Sequence, residues 1–374
     1  MGASADVAVV GAGIVGLSTA HALSERGIGV AVYERGVPGN GQSGGDSRIF
    51  RHSHADPRLV SVALQARELW REWEQRWGRE LVSDDGVVSI GPEAGGRAEL
   101  LRQAGARARL IGAAELSERL PLLASWEDDA LLDEEGGVIR ARAAIDALAD
   151  ALAGRIVFDE VLSVTPTKAG TVELRAGGTA VEHERVVVCA GRETTSLARG
   201  AGLVVPMRQS AHVRLAFPVR GEPPERLACL LDGSGAFGEP SAYADPLPGN
   251  HLYAVGVDET PVHGDGGLVA PDGLAAVAQR TTAYVARALP GLVPEPAQAR
   301  HCWITELPSG YDAFAVWASG GASFMVGHNL FKHAPALGRA LAAHALGEEP
   351  GIPLGPDDRL GAPAAAISDH QRVC

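Results

Sequence analysis

The sequence predicts an α/β protein: a Rossmann-like dinucleotide-binding domain, discontinuous along the chain, with an inserted α+β domain built on a mixed or antiparallel sheet. Three observations predict it. The chain opens on a β-branched run, a glycine-rich turn, an Ala/Leu helix and a second strand, "DVAVVGAGIVGLSTAHALSERGIGVAVYER". From about Pro206 to Arg300 the texture changes to alternating strands ("HVRLAF", "HLYAVGV") broken by Pro/Gly loops, with one helix near "LAAVAQRTTAYVARAL". Then "FMVGHNLFKHAPALGRALAAHAL" returns to strand, glycine turn and Ala/Leu helix. A pattern interrupted and resumed places 1–83, 138–205 and 306–374 in the dinucleotide domain, and 84–137 and 206–305 in the inserted substrate domain.

The first element is the most informative. Gly11 permits the tight turn, Gly13 lets the backbone approach a pyrophosphate, and Gly16 brings helix and strand close, while the helix N-terminus attracts phosphate charge. A GxGxxG alone is weak. Here it follows a strand, opens a helix and is followed by Glu34 at a strand end, the expected partner of a ribose hydroxyl. That pattern serves a nicotinamide or a flavin dinucleotide equally.

Further along, Trp70, Trp73 and Trp77 stand at helical spacing with charges between, which reads as a helix burying an aromatic stripe. "IDALADALAG" reads as a helix, followed by three strands in "RIVFDEVLSVTPT", "TVELRAG" and "ERVVVCAG", the last apolar throughout as a strand covered on both faces should be. The Pro/Gly-rich tail after Pro350 reads as a surface strap.

Composition narrows the function. A chain of 374 residues with 46% hydrophobic content can bury a real core. A formal charge of -13 argues against a phosphate-tracking surface, so nucleic acid is not an expected partner. Four cysteines, Cys189, Cys229, Cys302 and Cys374, show no CxxC pair, which fits neither zinc nor a disulfide framework and points to a reducing cytoplasm. The apolar stretch "VAVVGAGIVGL" is too short to span a bilayer and Asp6 stands where a signal peptide would carry positive charge, so no membrane association is expected. There is no GxSxG, HExxH or Walker lysine, and "HSH" at 52–54 lacks companions at metal spacing; no metal is expected.

Four stretches, "VAVVGAGIVGLSTAHAL", "GDSRIFRH", "HCWITE" and "GHNLFKHAPALG", resemble in order the D-amino-acid-oxidase-like FAD oxidoreductases, within them the branch of monomeric sarcosine oxidase and N-methyltryptophan oxidase. Taken alone, Arg48 and Arg51 are as well explained by a solvated face, and Lys332, one of only two lysines with Lys168, by ordinary exposure. The resemblance implies more. Arg48 would sit against the isoalloxazine, and Arg51 and Lys332 would clamp the substrate carboxylate from opposite ends of the sequence. A planar fork and a compact ammonium are not interchangeable at such a site. The resemblance further implies FAD contacts from Gly11, Gly13, Gly16, Glu34, Arg35, Ser43, Ser47, Arg48, Val161, Gly327, Asn329 and Lys332. It also implies a covalent thioether from Cys302 to the flavin 8α-methyl, which needs a thiolate that His301 or a nearby arginine would favour. Tyr243 and Trp303 would wall the substrate pocket.

Two departures qualify the transfer. Ser43 and Gly44 replace adjacent histidines of sarcosine oxidases, so sarcosine is not the leading substrate. The lysine with which the family speeds oxygen use is matched by Ala254, which predicts slow oxygen use, another electron acceptor, or a substitute cation such as Arg48 or a histidine. His328 and His333 read as structural hydrogen-bonders. The expected activity is hydride transfer from the carbon next to nitrogen of a secondary amine or imino/amino acid to flavin, giving an imine, with O2 or another acceptor closing the cycle. The rivals are an NAD-dependent amino-acid dehydrogenase and a non-catalytic flavin-fold binding protein.

Overall fold

The computed structural model describes residues 5–257, 260–261, 272–310 and 312–361; Cys374 and the end of the tail lie outside the described residues. The opening β-branched run forms the strand Val7–Val10 inside a six-stranded sheet ordered Phe314–Ser319, Ala322–Gly327, Arg185–Val188, Val7–Val10, Val30–Glu34, Ile156–Phe158. Every pairing is parallel except the hairpin formed by the first two. Because its inner strands are covered on both faces, Val7–Val10 is buried at every position and Arg185–Val188 at all but its first. One face packs the helix Ile14–Glu25 against Ala334–Ala345 and Ala141–Ala151. The first two come close because Gly338 has no side chain: a Cβ there would lie 2.6 Å from the Ser18 carbonyl oxygen.

The segment expected to hold three strands holds five. Ile156–Phe158 joins the edge of the six-stranded sheet, whereas Val161–Pro166, Val172–Ala176 and Thr179–His183 make a separate antiparallel sheet before Arg185–Val188 returns to the first. Two short-range signals explain the difference. Asp159 accepts from the Glu160 backbone N–H (2.8 Å) and breaks the run, and Gly177 at φ +53° turns the chain into an extra hairpin strand.

A nine-stranded mixed sheet runs Thr260–Pro261, Arg208–Pro218, Leu252–Gly256, Ala242–Pro246, Cys229–Asp232, Val87–Ile90, Ala130–Asp133, Ala108–Ile111, with Gln298–Glu306 paired to Arg208–Pro218. It buries Phe217, Leu230, Tyr253 and Tyr284 in its own core, the last carried by the helix Gly273–Ala288. A two-stranded ribbon, Ser47–Phe50 with Gly137–Arg140, lies among these layers.

The tryptophan stripe forms the helix Pro57–Trp77, started by Asp56 accepting from the Arg58 N–H (2.9 Å) and ended by Gly78 at φ +60°. Trp70 and Trp73 are buried, and Trp70 Nε1 donates to the Lys332 carbonyl at 2.9 Å, tying this helix to the turn that carries the lysine. Among the described residues no helix is long and apolar enough to cross a membrane.

Candidate active site

The glycine turn is built for close approach. A Cβ on Gly11 (φ +99°) would lie 2.6 Å from the Cys189 carbonyl oxygen, and one on Gly16 would lie 2.0 Å from that of Gly11, so helix and strand meet only because both are glycine. The helix begins after Gly13 with no side-chain cap, and its first N–H, on Ile14, donates to Ser43 Oγ at 3.0 Å. Glu34 turns its carboxylate onto the same turn, accepting from Ala12 N (2.8 Å) and Gly36 N (2.8 Å). The short polar groups that hold these N–H donors are those a dinucleotide would compete with or join.

From this cradle a cavity of about 470 Å³ opens between the two large sheets. Of the residues expected at the site, Gly13, Ser43, Arg48, Arg51, Tyr243, Cys302, Trp303, Gly327, Asn329 and Lys332 line it. Gly11 and Gly16 act from behind it as packing. Glu34, Arg35 and Val161 are not in its wall: Arg35 pairs with Glu160 (3.2 Å), and Val161 packs on the cluster that contains Tyr33. Ser47 is buried behind the wall, accepting from Arg214. Ala254 is also outside it, buried opposite Asp245 in the strand register.

The ring end of the cavity is unusually basic. Arg48 donates to the carbonyls of Ser47 (2.7 Å), Gly44 (2.5 Å) and Gln42 (3.2 Å) and lies 5.8 Å from the centre of the Phe331 ring; burial lowers its pKa. Arg214 donates to Ser47 and pairs with buried Asp245; burial opposes its charge and Asp245 more than restores it. Both guanidiniums act on Cys302, whose strand places it opposite His212. The Tyr243 hydroxyl bonds His212 Nδ1 at 3.0 Å, and burial, with Arg214 beside it, pushes His212 down to about 3. Trp303 carries Arg192 over its ring at 4.9 Å.

At the other end the two cations meet through a residue the sequence reading missed. Asp312 accepts from Arg51 (3.0 Å), His54 Nδ1 (2.9 Å) and Asn329 Nδ2 (2.7 Å). Burial alone would raise its carboxyl, but Arg51, Lys332 and His54 hold it well below the usual range. Lys332 donates to the Asn329 carbonyl (3.1 Å), is almost fully buried, and is pushed down to about 7 by that burial, with Asp312 resisting the fall. Asn329 itself sits at φ +54°, a left-handed turn that brings its amide over Asp312. Neutral His54, pushed down to about 3 chiefly by burial, lies beside His333 with ring centres 5.1 Å apart and the planes tilted by 37°. Arg214 and Asp245 were also missed, although a charge at an alternate position of the otherwise apolar "HVRLAF" and another in "AYADP" are signals that find them.

Cradle and cavity are continuous, so a dinucleotide laid on the helix N-terminus would lead toward Arg48 and Cys302, with Arg51 and Lys332 in the same wall. A nucleotide cradle opening into a cavity rich in cations suits an oxidoreductase. The chain belongs to the DAO family of FAD dependent oxidoreductases, whose family model matches residues 6–344. The cofactor is therefore FAD, and the glycine cradle, the capless helix N-terminus and the basic ring end suit it. Among similar proteins, the human peroxisomal sarcosine oxidase is 26% identical over 94% of both chains. A monomeric sarcosine oxidase of Streptomyces avermitilis is 30% identical over 53% of this chain and 54% of its own. In fold, the open form of NikD, an unusual amino acid oxidase essential for nikkomycin biosynthesis, superposes with a TM-score of 0.81 at 22% identity over 96% of this chain and 97% of that one. The L-proline dehydrogenase of P. horikoshii gives 0.77 at 19% identity, over 94% and 95%.

Proposed function

We propose that this chain oxidises the C–N bond of a secondary amine or an imino/amino acid, with Arg51 and Lys332 holding the substrate carboxylate. The observation that carries the reading is the meeting of those two cations around Asp312 in the wall of the cavity that also bears Arg48 and Cys302. FAD, when bound, supplies the acceptor for the hydride leaving the substrate carbon. This chain's residues do the rest. Arg51 offers a fork and Lys332 a point charge, fixing the acid group and thereby the C–H bond beside the amine. The buried wall favours the neutral form of the amine, whose lone pair assists as the iminium forms; its N–H proton is released to solvent once the product leaves the site. Tyr243 and Trp303 close the sides.

Dioxygen, giving hydrogen peroxide, or another acceptor would take the two electrons. Ala254 offers no charge and Arg214 is neutralised by Asp245, which leaves Arg48, hydrogen-bonded to backbone carbonyls in the cavity wall, as the substitute cation; if Arg48 does not serve, slow reaction with oxygen follows. We include a thioether from Cys302 to the flavin, supported by the place of Cys302 in the cavity wall beside Arg48 and Arg214. The reading also includes a division of the chain at 83/84, 137/138, 205/206 and 305/306 into cofactor and substrate domains, and a cytoplasmic location, supported by the free thiols of Cys189, Cys229 and Cys302. Intact-mass spectrometry of the denatured protein tests the cofactor and its tether: an adduct of FAD mass, absent in Cys302→Ala, is expected. Anaerobic mixing of the yellow protein with cyclic and N-methyl amino acids tests the chemistry, since a failure to bleach with any of them would overturn it.

A further inference from the structure

A second cavity, about 440 Å³, adjoins the first and shares Arg51, Leu231 and Gly233 with it, with Asp312 on its own side. Its volume falls in the range of small-molecule sites, roughly 300–1,000 Å³. The floor of both is one face of the nine-stranded sheet. Tyr243, in the first cavity, stands opposite Leu231, Leu231 opposite Ser89, and Ser89 opposite Leu131, so a single cross-strand row leads from the first cavity into the second. The Arg51–Asp312 pair stands where the two meet. Beyond it the wall is mixed: Ala55, Ile90, Pro92, Ala94 and Leu131 form its apolar part, Ser53 and His54 stand near Asp312, and the outer mouth is marked by the ion pair of Arg97 with exposed Glu93 (2.6 Å).

We propose that this second cavity is a specificity subsite for a bulky, mainly apolar substituent of the substrate, an aryl or branched alkyl group carried by the amino or imino acid. The inference rests on the carboxylate-clamp reading above. An acid group held at Arg51 and Lys332 sits at the junction of the two spaces. The flavin occupies the cradle side, so the part of the substrate that leads away from the ring has one direction to go, along the Leu231–Ser89–Leu131 row. A glycine-sized acid stops short of that row, whereas an aryl or branched chain covers half-buried Leu231 and exposed Pro92 and gains accordingly. Ser89, the small half-buried member of the row, sets the depth available.

The test uses the FAD-loaded protein and acids without an amine, acetate and 3-phenylpropionate, followed by the shift they cause in the flavin spectrum. In the wild type, phenylpropionate is expected to bind at least about tenfold more tightly than acetate, and Ser89→Trp to weaken phenylpropionate by about tenfold or more while leaving acetate within roughly threefold. Equal weakening of both acids would make the second cavity an access route and overturn the subsite. So would an unchanged phenylpropionate affinity in Ser89→Trp, or a wild type that prefers neither acid. Ser89→Leu carries the comparison if the tryptophan variant fails to retain FAD. Binding is read without turnover, so a protein that separates the two acids yet bleaches with no amine would retain the subsite and lose the oxidation reading.

Discussion

At the scale of single residues, the proposed clamp contains a titrating group. Lys332 is pushed from 10.5 down to about 7, burial leading, so it is charged below that pH and neutral above it. An acid without an amine should therefore bind the loaded protein with a dissociation constant that climbs as pH rises through about 7. Because Asp312 is what raises Lys332 against its burial, Asp312→Asn should move the inflection to lower pH; an inflection that stays put or moves up would sink the electrostatic link. Lys332→Met should abolish the inflection and cost about 2–5 kcal/mol of acid binding, much of it from leaving the carboxylate underpaired in a buried site. The same burial has a signed consequence for folding. Between about pH 7 and 10.5 the unfolded chain holds a proton on this lysine that the folded chain has released, so its contribution makes stability rise with pH across that window. Arg51 and Lys332 were legible only through the family resemblance, since the glycine-rich loop and the scarcity of lysine fit ordinary exposed charges as well. Asp312 was not, because nothing local in "GYDAF" separates it from the chain's other carboxylates. Its role comes from Asn329 and His54, which only folding brings to it.

At the scale of elements, the ring end depends on an ion pair that reaches across a strand. Arg214 lies on Arg208–Pro218 and Asp245 on Ala242–Pro246, with Leu252–Gly256 hydrogen-bonded between them. The intervening strand permits this by being small where it matters. Gly256 stands opposite Tyr243, and a Cβ there would come within 2.4 Å of the tyrosine ring. Both charges are buried, with Arg214 Nε and Asp245 Oδ2 finding no partner among the described residues, so removing one member strands the other. Asp245→Asn is expected to destabilise the protein by about 3–5 kcal/mol in chemical denaturation. Replacing both together, Arg214→Met with Asp245→Leu, should cost clearly less than the sum of the single changes; simple additivity would show the two do not act as a pair. Elements with strong periodicity were readable in advance: the opening βαβ unit, the tryptophan helix and the closing strand, turn and helix all stand where the apolar spacing put them. The break at Asp159, which splits one expected strand in two, and the extra strand Thr179–His183 were not. The strands at 161–183 are short and half exposed, so a turn at Gly177 decided more than their composition did.

At the scale of the whole molecule, the site belongs to neither large sheet alone. Gly13, Met325 and Gly327 come from the side of the six-stranded sheet, Arg214, Tyr243 and Cys302 from the nine-stranded one, and the cavity is the gap between them. Sequence spacing can announce a cradle, but the facing of one sheet by another depends on contacts hundreds of residues apart, and so the far wall was readable only through family resemblance. A ligand that bridges the gap touches both halves in the folded protein and finds no such surface in the unfolded one. FAD must therefore stabilise the fold by mass action, by about 2.7 kcal/mol when free cofactor stands at 100 times its dissociation constant. A thioether at Cys302 would remove the concentration dependence, because tethered cofactor cannot dilute away. The wild-type melting temperature is accordingly expected to ignore added FAD, and that of Cys302→Ala to climb with it and fall on dialysis. A Cys302→Ala protein that melts at the wild-type temperature whatever the FAD concentration would show that the cysteine holds no tether, and that the two sheets keep their arrangement without a bridge.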